Sequence, residues 1–269
     1  MDVALSPNAR RLMRVFFALV VVFLYAPIAI LLIFSFNSSS IPVFPLTGFT
    51  LHWYHAFLTN SDMQAALKTS AIVAALSSVG AVALGILASI ALARRKFRGQ
   101  LSVMALLLSP LVIPLVVLGI SLLLLFHQLG ISLGILTVSI GHIVIIVPYT
   151  ILVLLPRLEQ IDASLAEAAY DLGAGPFATF RRVTLPLILP AIVAALLIGF
   201  TTSFDEYAVS SFLVGPRLTF PVYLYAAMRN PHNLPQVIAV AVVVIMVSLT
   251  VIVAIELWRR RAEARLEAA

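Results

Sequence analysis

Five long segments without a charged side chain constrain the fold of this chain more than any other feature of its sequence. Asp, Glu, Lys and Arg are absent from residues 15–36, 69–93, 99–156, 183–204 and 230–255. About 20 apolar residues, rising 1.5 Å each along a helix, cross the roughly 30 Å hydrocarbon core of a bilayer. Every segment is long enough for that crossing. The sequence therefore predicts a membrane protein built from transmembrane helices.

The third segment, 99–156, is about twice as long as one span needs. The polar and glycine residues of His127-Gln128-Leu129-Gly130 near its middle are typical of a turn between two helices. The first span is expected to be retained, because its apolar stretch exceeds the roughly 7–15 residues of a signal peptide and no A-x-A cleavage site follows. The sequence thus predicts an all-α polytopic membrane protein with six transmembrane helices, near 15–36, 66–93, 101–126, 132–155, 184–207 and 235–258.

Composition excludes the soluble classes of protein. Hydrophobic residues make up 62% of the chain and charged residues 10%, whereas soluble domains average roughly 45–50% and 25%. The chain has 0 Cys, so a disulfide-linked scaffold is excluded as well.

The second predicted span is rich in small residues at spacings of three or four, which favours close packing against another helix. Those residues are Ala71, Ala74, Ala75, Ser78, Ala81 and Gly85.

The distribution of basic residues predicts the orientation in the membrane. Fourteen of the 17 Lys and Arg residues fall before the first span, between the second and third, between the fourth and fifth, and after the sixth; only Lys68, Arg217 and Arg229 lie on the other side. Because basic loops are retained in the cytoplasm, both termini are expected there. These basic loops also explain the net charge of +6, so the charge does not indicate a nucleic-acid partner.

The segment 157–184 between the fourth and fifth spans is far longer than the roughly 2–8 residues that join antiparallel helices. Residues 162–172 have the pattern of an amphipathic helix that begins with an acidic residue, as the helix dipole favours. Gly173 and Gly175-Pro176 are expected to end that helix, and a second short piece, 177–182, precedes the fifth span. The sequence therefore predicts a structured element outside the membrane.

Motifs of soluble enzymes occur only in unsuitable positions. The match to G-x-G-x-x-A at residues 173–178 lacks the strand that a dinucleotide site needs. The match to G-x-S-x-G at 130–134 lies in the predicted turn rather than in a strand-turn-helix elbow. No phosphate-binding G-x-x-x-x-G-K-[ST] occurs, and His52 and His55 lack a third metal ligand of suitable spacing. The chain is therefore expected to be no enzyme, with no metal site and no cofactor of its own.

The loop sequence EAAYDLGAGPFATFRRVTLPLILP resembles the EAA loop of the membrane subunits of bacterial ABC importers. The resemblance implies the type I permease fold of the bacterial inner membrane, with a cytoplasmic coupling helix that docks on a separate ATPase. It implies as partners a second homologous permease, two ATPase subunits that use ATP and Mg, and an external solute-binding protein. The coupling residues that it implies are Glu167, Ala168, Ala169, Asp171, Leu172, Gly173, Phe177, Arg181 and Arg182.

Two further stretches, ARRKFRGQ after the second span and SFDEYAVSSFLVGP at the end of the fifth, resemble the spermidine/putrescine permease subfamily, in particular its PotC-type subunits. The resemblance divides the chain into 1–62 with the first span and an external loop, a permease core at 63–258, and a cytoplasmic tail at 259–269. It implies a polyamine as the solute. Permeases for other amine-bearing solutes share much of the pattern and stay an alternative.

Acidic residues at membrane depth are costly and therefore indicate a functional site. Asp205 and Glu206 end the fifth predicted span, and at the outer mouth of the bundle they suit a cationic solute. The alternative is that the helix simply ends at Phe204 and both acids are solvated. The residues expected to line the solute path are Ser203, Asp205, Glu206, Tyr207 and Tyr149.

His142 lies seven residues before Tyr149, hence on the same helical face, although packing with a satisfied hydrogen bond is the alternative for both. A proton-coupled secondary transporter remains a second hypothesis, but the expected inverted repeat and midplane ionisable residues are not evident. An intramembrane enzyme is a third, and it would need clustered His, Ser or acidic residues.

Overall fold

A computed structural model describes residues 7–41, 43–94 and 97–267, without the side chains of Pro7, Arg94, 251–252 and 254–267. Arg95 and Lys96 of the predicted basic cluster lie outside the described residues. The chain is an all-α polytopic membrane protein. Its helices are α1 (Pro7–Phe34), α2 (His52–Thr59), α3 (Ser61–Arg94), α4 (Gln100–Leu108), α5 (Leu115–Gln128), α6 (Ile135–Glu159), α7 (Ala163–Asp171), α8 (Pro176–Thr179), α9 (Leu185–Phe204), α10 (Ser210–Leu213), α11 (Phe220–Ala227) and α12 (Leu234–Glu267).

Five helical segments of the described chain are long and apolar enough to cross a membrane. They are Asn8–Phe34, Ser61–Ala93, Ile135–Glu159, Pro176–Phe204 and Pro231–Thr250. The pair Gln100–Leu111 and Leu115–Gln128 counts as a sixth span if it is taken as one broken helix. The prediction of a multi-pass helical protein is confirmed, and α12 continues as one helix through the end of the sixth predicted span at residue 258.

The prediction of one continuous helix at 101–126 is wrong, because the chain bends by 99° between its two halves. A 3₁₀ turn at Ser109–Leu111 follows α4, and the Val112 amide donates to the Ser109 carbonyl over 3.0 Å. Pro114 then leaves the helical conformation with ψ 127°. Proline has no amide hydrogen and disfavours a helical residue before it, so Pro114 ends one half and begins the next.

Residues 62–223 form one compact unit, centred on α6. Helix α9 packs antiparallel along α6, with Leu154, Leu158 and Ile188 in one buried cluster. Four of the six small residues predicted on the packing face of α3 are buried, namely Ala74, Ser78, Ala81 and Gly85, while Ala71 and Ala75 are exposed. A Cβ at Gly199 of α9 would lie 3.2 Å from the Ser78 side chain, so the small residues permit close helix contact.

Residues 7–61 and 224–267 belong to the other unit. Helix α12 packs against α1 and α2. Helix α2 lies within the segment predicted to be an external loop. The loop before it is closed around Asn37, whose Oδ1 accepts hydrogen bonds from the Thr47 amide and hydroxyl at 3.1 Å each, while its carbonyl accepts one from Trp53 Nε1 at 2.8 Å.

Candidate coupling surface and solute cleft

Helix α7 begins at a side-chain cap. Asp162 precedes the helix, and its carboxylate accepts a hydrogen bond from the Ser164 amide at 2.9 Å. Capping satisfies one of the amides that the first turn of a helix leaves unpaired. Because the hydrogen bond favours the ionised carboxylate, it lowers the pKa of Asp162 below its ordinary range.

Gly173 ends α7, as predicted. Its φ is +80°, in the left-handed region that glycine occupies at low cost. The Gly173 amide donates to the Tyr170 carbonyl at 2.8 Å, and the Ala174 amide to the Ala169 carbonyl at 2.9 Å. This pair of bonds is the Schellman arrangement of a helix C-terminus. The predicted second piece at 177–182 is not separate, because α8 and a π-helical turn at Phe180–Thr184 run without interruption into α9.

Exposed apolar side chains follow the end of α7. Leu172 is 89% exposed and Phe177 75% exposed, although α7 itself packs against α8 and the π-helical turn. Glu167, Ala168 and Asp171 are exposed beside them, whereas Ala169 is half-buried. We call Glu167, Ala168, Asp171, Leu172 and Phe177 the docking surface. Large exposed apolar side chains close in sequence to charged residues suit a protein–protein contact.

Arg181 and Arg182 are exposed and follow the docking surface along the chain, in the π-helical turn. Arg157 stands at the other end of the loop, and its Nε donates to the Leu187 carbonyl over 3.3 Å. That hydrogen bond joins the end of α6 to the start of α9. The loop is thus held at its base while its tip stays exposed.

The second group of predicted site residues lies at the end of α9, which stops at Phe204. Glu206 is nevertheless not solvated: its side chain is 5% exposed and lies 3.1 Å from His142 Nε2. Ser203 Oγ lies 2.6 Å from His142 Nδ1, and Ser210 Oγ lies 3.0 Å from Nε2. We call His142, Ser203, Glu206 and Ser210 the His142 latch. The sequence places Ser210 in the same polar stretch as Asp205 and Glu206, but its contact with His142 depends on a fold that brings it back to α6.

Asp205 is exposed, whereas its neighbour Glu206 is buried. Both border a cleft of about 480 Å³ together with Tyr149 and Tyr207. The break between α4 and α5 forms another wall of this cleft, with Pro110, Leu111 and Ile113. The bend between α4 and α5 therefore borders the predicted acidic site. This bend was not predicted from the sequence.

Both acids lie beside α6, since Glu206 contacts His142 of that helix and Asp205 shares a cleft with its Tyr149. Tyr149 is near the middle of α6, and it shares the cleft with Asp205. The chain after Phe204 then turns back along α6, since Thr137 Oγ1, close to the start of that helix, donates to the Leu213 carbonyl at 3.0 Å. The turn at residues 205–209, which we call the acidic turn, therefore lies alongside α6, one of the helices long enough to span the membrane.

Comparison with known proteins supports a transport role. Residues 81–267 match the family described as "Binding-protein-dependent transport system inner membrane component". The chain is 36% identical over 246 residues to the spermidine/putrescine transport system permease protein PotC of Escherichia coli K12, covering 91% of this chain and 92% of that one. It is 38% identical over 231 residues to the putrescine transport system permease protein PotI of the same organism, covering 83% and 82%.

A solved structure shares the fold. It belongs to a bacterial ABC transporter involved in the import of the acidic polysaccharide alginate, with a TM-score of 0.74 at 19% identity, covering 94% of this chain and 98% of that one. A second structure of a bacterial alginate transporter, in complex with a periplasmic protein that holds an alginate pentasaccharide, gives a TM-score of 0.67 at 16% identity, covering 88% of this chain and 91% of that one. The polytopic architecture is therefore that of the membrane subunits of ABC transporters.

Proposed function

The chain belongs to the family of binding-protein-dependent transport system inner membrane components, and from that membership we propose that it forms the solute path of an ATP-driven importer for a polyamine such as spermidine or putrescine. The observation that carries the proposal is the similarity to polyamine permeases over most of both chains. As a transport subunit the chain is not an enzyme. Another amine-bearing solute is the alternative within the same class of transporter.

The cleft supports a cationic solute. Asp205 presents an exposed carboxylate there, beside Tyr149 and Tyr207. Attraction between a carboxylate and an ammonium group is much stronger in a partly desolvated site than in water, and a carboxylate at membrane depth needs a functional reason. A modest attraction is sufficient, because a solute held tightly in the path would not leave it.

We propose that the docking surface binds a separate ATPase subunit, which supplies the free energy of ATP hydrolysis with Mg. Leu172 and Phe177 offer apolar area, and Glu167 and Asp171 offer charge for hydrogen bonds at its edge. Arg181 and Arg182 extend the charged edge. The complex further includes a homologous second permease, a second ATPase and an external solute-binding protein. In this arrangement the docking surface and both termini are cytoplasmic, and the chain lies in the bacterial inner membrane.

One helical segment joins the two sites. Phe177 of the docking surface and Ser203 beside the cleft both belong to Pro176–Phe204, which is roughly 40 Å long at 1.5 Å per residue. A displacement of the docking surface therefore reaches the cleft through a continuous helix. Such a connection suits alternating access, in which the bundle exchanges between outward and inward openings.

The test is reconstitution of the full complex in liposomes with its ATPases and binding protein. We expect ATP-dependent uptake of labelled spermidine or putrescine, with ATP hydrolysis stimulated by the loaded binding protein. Uptake only of neutral or anionic solutes would overturn the polyamine proposal and leave the permease proposal standing. Uptake driven by a proton gradient without ATP would instead favour the secondary transporter.

A further inference from the structure

We infer that the two adjacent carboxylates have separate roles: Asp205 alone presents charge to the solute, while Glu206 is a positioning residue that, with His142, holds the acidic turn in place. The inference rests on the proposed function, since it takes the cleft as the solute path. It begins from the different surroundings of two residues that are neighbours in the sequence.

The carboxylate of Glu206 is fully engaged inside the chain. Its Oε1 accepts a hydrogen bond from the Val209 amide at 2.8 Å, and its Oε2 accepts one from the Ser210 amide at 2.8 Å and lies 3.1 Å from His142 Nε2. Glu206 borders the cleft, but with its side chain 5% exposed it has little surface to offer. A solute ammonium could approach this buried carboxylate only by disturbing its set of hydrogen bonds, and any buried group displaced would be left unpaired at considerable cost.

His142 of α6 contacts one residue before the acidic turn, one within it and one after it. Its Nδ1 contacts the Ser203 hydroxyl before the turn, while its Nε2 contacts Glu206 within the turn and the Ser210 hydroxyl after it. Unpaired polar groups at membrane depth are costly. The closed set of hydrogen bonds therefore stabilises a non-helical turn beside α6, a spanning helix, where irregular backbone is otherwise unfavourable.

The carboxylate of Asp205 has no hydrogen-bond or ion-pair partner among the described residues, and it is exposed in the cleft. Since Glu206 is held against α6, the backbone that carries Asp205 is held at the cleft as well. The latch thus orients Asp205 without touching the solute. This chain accordingly contributes one oriented negative charge to the path rather than two.

Single-cysteine labelling of the assembled complex tests the division, because the chain has 0 Cys. Ala208→Cys places a thiol on the cleft, and Val209→Cys places one in a fully buried position. At position 208 we expect Asp205→Asn to lower the ratio of labelling rates by cationic and anionic thiol reagents about tenfold. Asp62→Asn is the matched control, as an exposed carboxylate away from the cleft, and should leave the ratio unchanged.

At position 209 the latch is tested directly. Glu206→Gln and His142→Leu should raise the labelling rate about tenfold as the turn opens locally, and Asp205→Asn should leave the thiol protected. His142→Gln, whose amide can still donate to Glu206, should restore much of the protection lost in His142→Leu. If Glu206→Gln prevents assembly, the comparison of His142→Gln with His142→Leu decides whether the hydrogen bond between positions 142 and 206 holds the turn in place.

Two results would overturn the inference. One is a loss of cation preference in Glu206→Gln as large as in Asp205→Asn, with position 209 still protected, which would make Glu206 a solute-facing acid. The other is equal protection of position 209 in His142→Leu and His142→Gln. Labelling requires no transport. If polyamine uptake fails while this labelling pattern is observed, the polyamine assignment is refuted, but the separate roles of Asp205 and Glu206 are still supported.

Discussion

Phe177 and Ser203 lie near the two ends of one helical segment, Phe177 exposed on the docking surface and Ser203 buried 2.6 Å from the imidazole of His142. A π-helical turn at Phe180–Thr184 interrupts the regular hydrogen bonding close to the Phe177 end. Such turns are frequent at functional sites in helices. In the importer that we propose, this one helical segment would connect ATPase docking at Phe177 to the turn that follows Ser203.

The first prediction concerns the orientation of the chain in the membrane. If the basic residues set it, Ser40→Cys and Asn233→Cys will react with a membrane-impermeant thiol reagent added to intact cells, and Gln160→Cys will react only after permeabilisation. All three positions are exposed, so access to water rather than burial decides the outcome. Labelling of position 160 in intact cells would contradict the orientation.

A second prediction concerns the turn after α7. Gly173→Ala should destabilise the turn by about 1–2 kcal/mol, because φ +80° is unfavourable for a residue with a Cβ. The expected result is weaker retention of the ATPase or less uptake per ATP hydrolysed, with membrane insertion unchanged. Gly175→Ala is the control, since that residue has φ −73° and open space around it. Equal effects of the two substitutions would argue against a conformational role for Gly173.

The exposed apolar side chains allow a third prediction. Phe177→Ser removes apolar area that only a partner would bury, worth about 1.5–3 kcal/mol on docking, so ATPase retention during purification should fall at least tenfold. Because Phe177 is 75% exposed, the thermal stability of the isolated subunit should hardly change. Leu129→Ser, at an exposed leucine after α5, should leave ATPase retention at the wild-type level.

A fourth prediction concerns the stability of the first turn of α7, which should depend on pH because Asp162 caps it. The Ser164 amide lowers the pKa of Asp162, so the stabilisation by the charged cap is fully present above the ordinary Asp pKa of about 3.9 and is lost as the pH falls through the lowered value. Exchange of the Ser164 amide hydrogen, corrected for its intrinsic rate, should stay slow from pH 7 to below 4. Asp162→Ala should speed that exchange at every pH in the range, and Asp162→Asn should largely preserve the protection.

The sequence was sufficient to predict the spans, because a bilayer requires long apolar helices and little else. Gly173 was predictable too, since local backbone geometry demands that residue type. The break at Pro114 was not, because spanning helices tolerate proline when neighbours satisfy the freed backbone groups. The role of Glu206 depends on His142, a residue 64 positions earlier, and no local pattern reveals such a contact.

The last prediction concerns the solute-facing charge itself. Asp205→Asn should lower the maximal rate of putrescine uptake about tenfold, because a partly desolvated ammonium loses its counter-charge in the path. The concentration of loaded binding protein at half-maximal uptake should stay nearly constant, since capture takes place outside the membrane. Asp205→Glu keeps the charge in the same cleft and should retain much of the rate, whereas Asp62→Asn should retain all of it. Wild-type uptake by Asp205→Asn would show that this carboxylate is an ordinary helix-end charge, and the search for the cation site would then move to the second permease subunit.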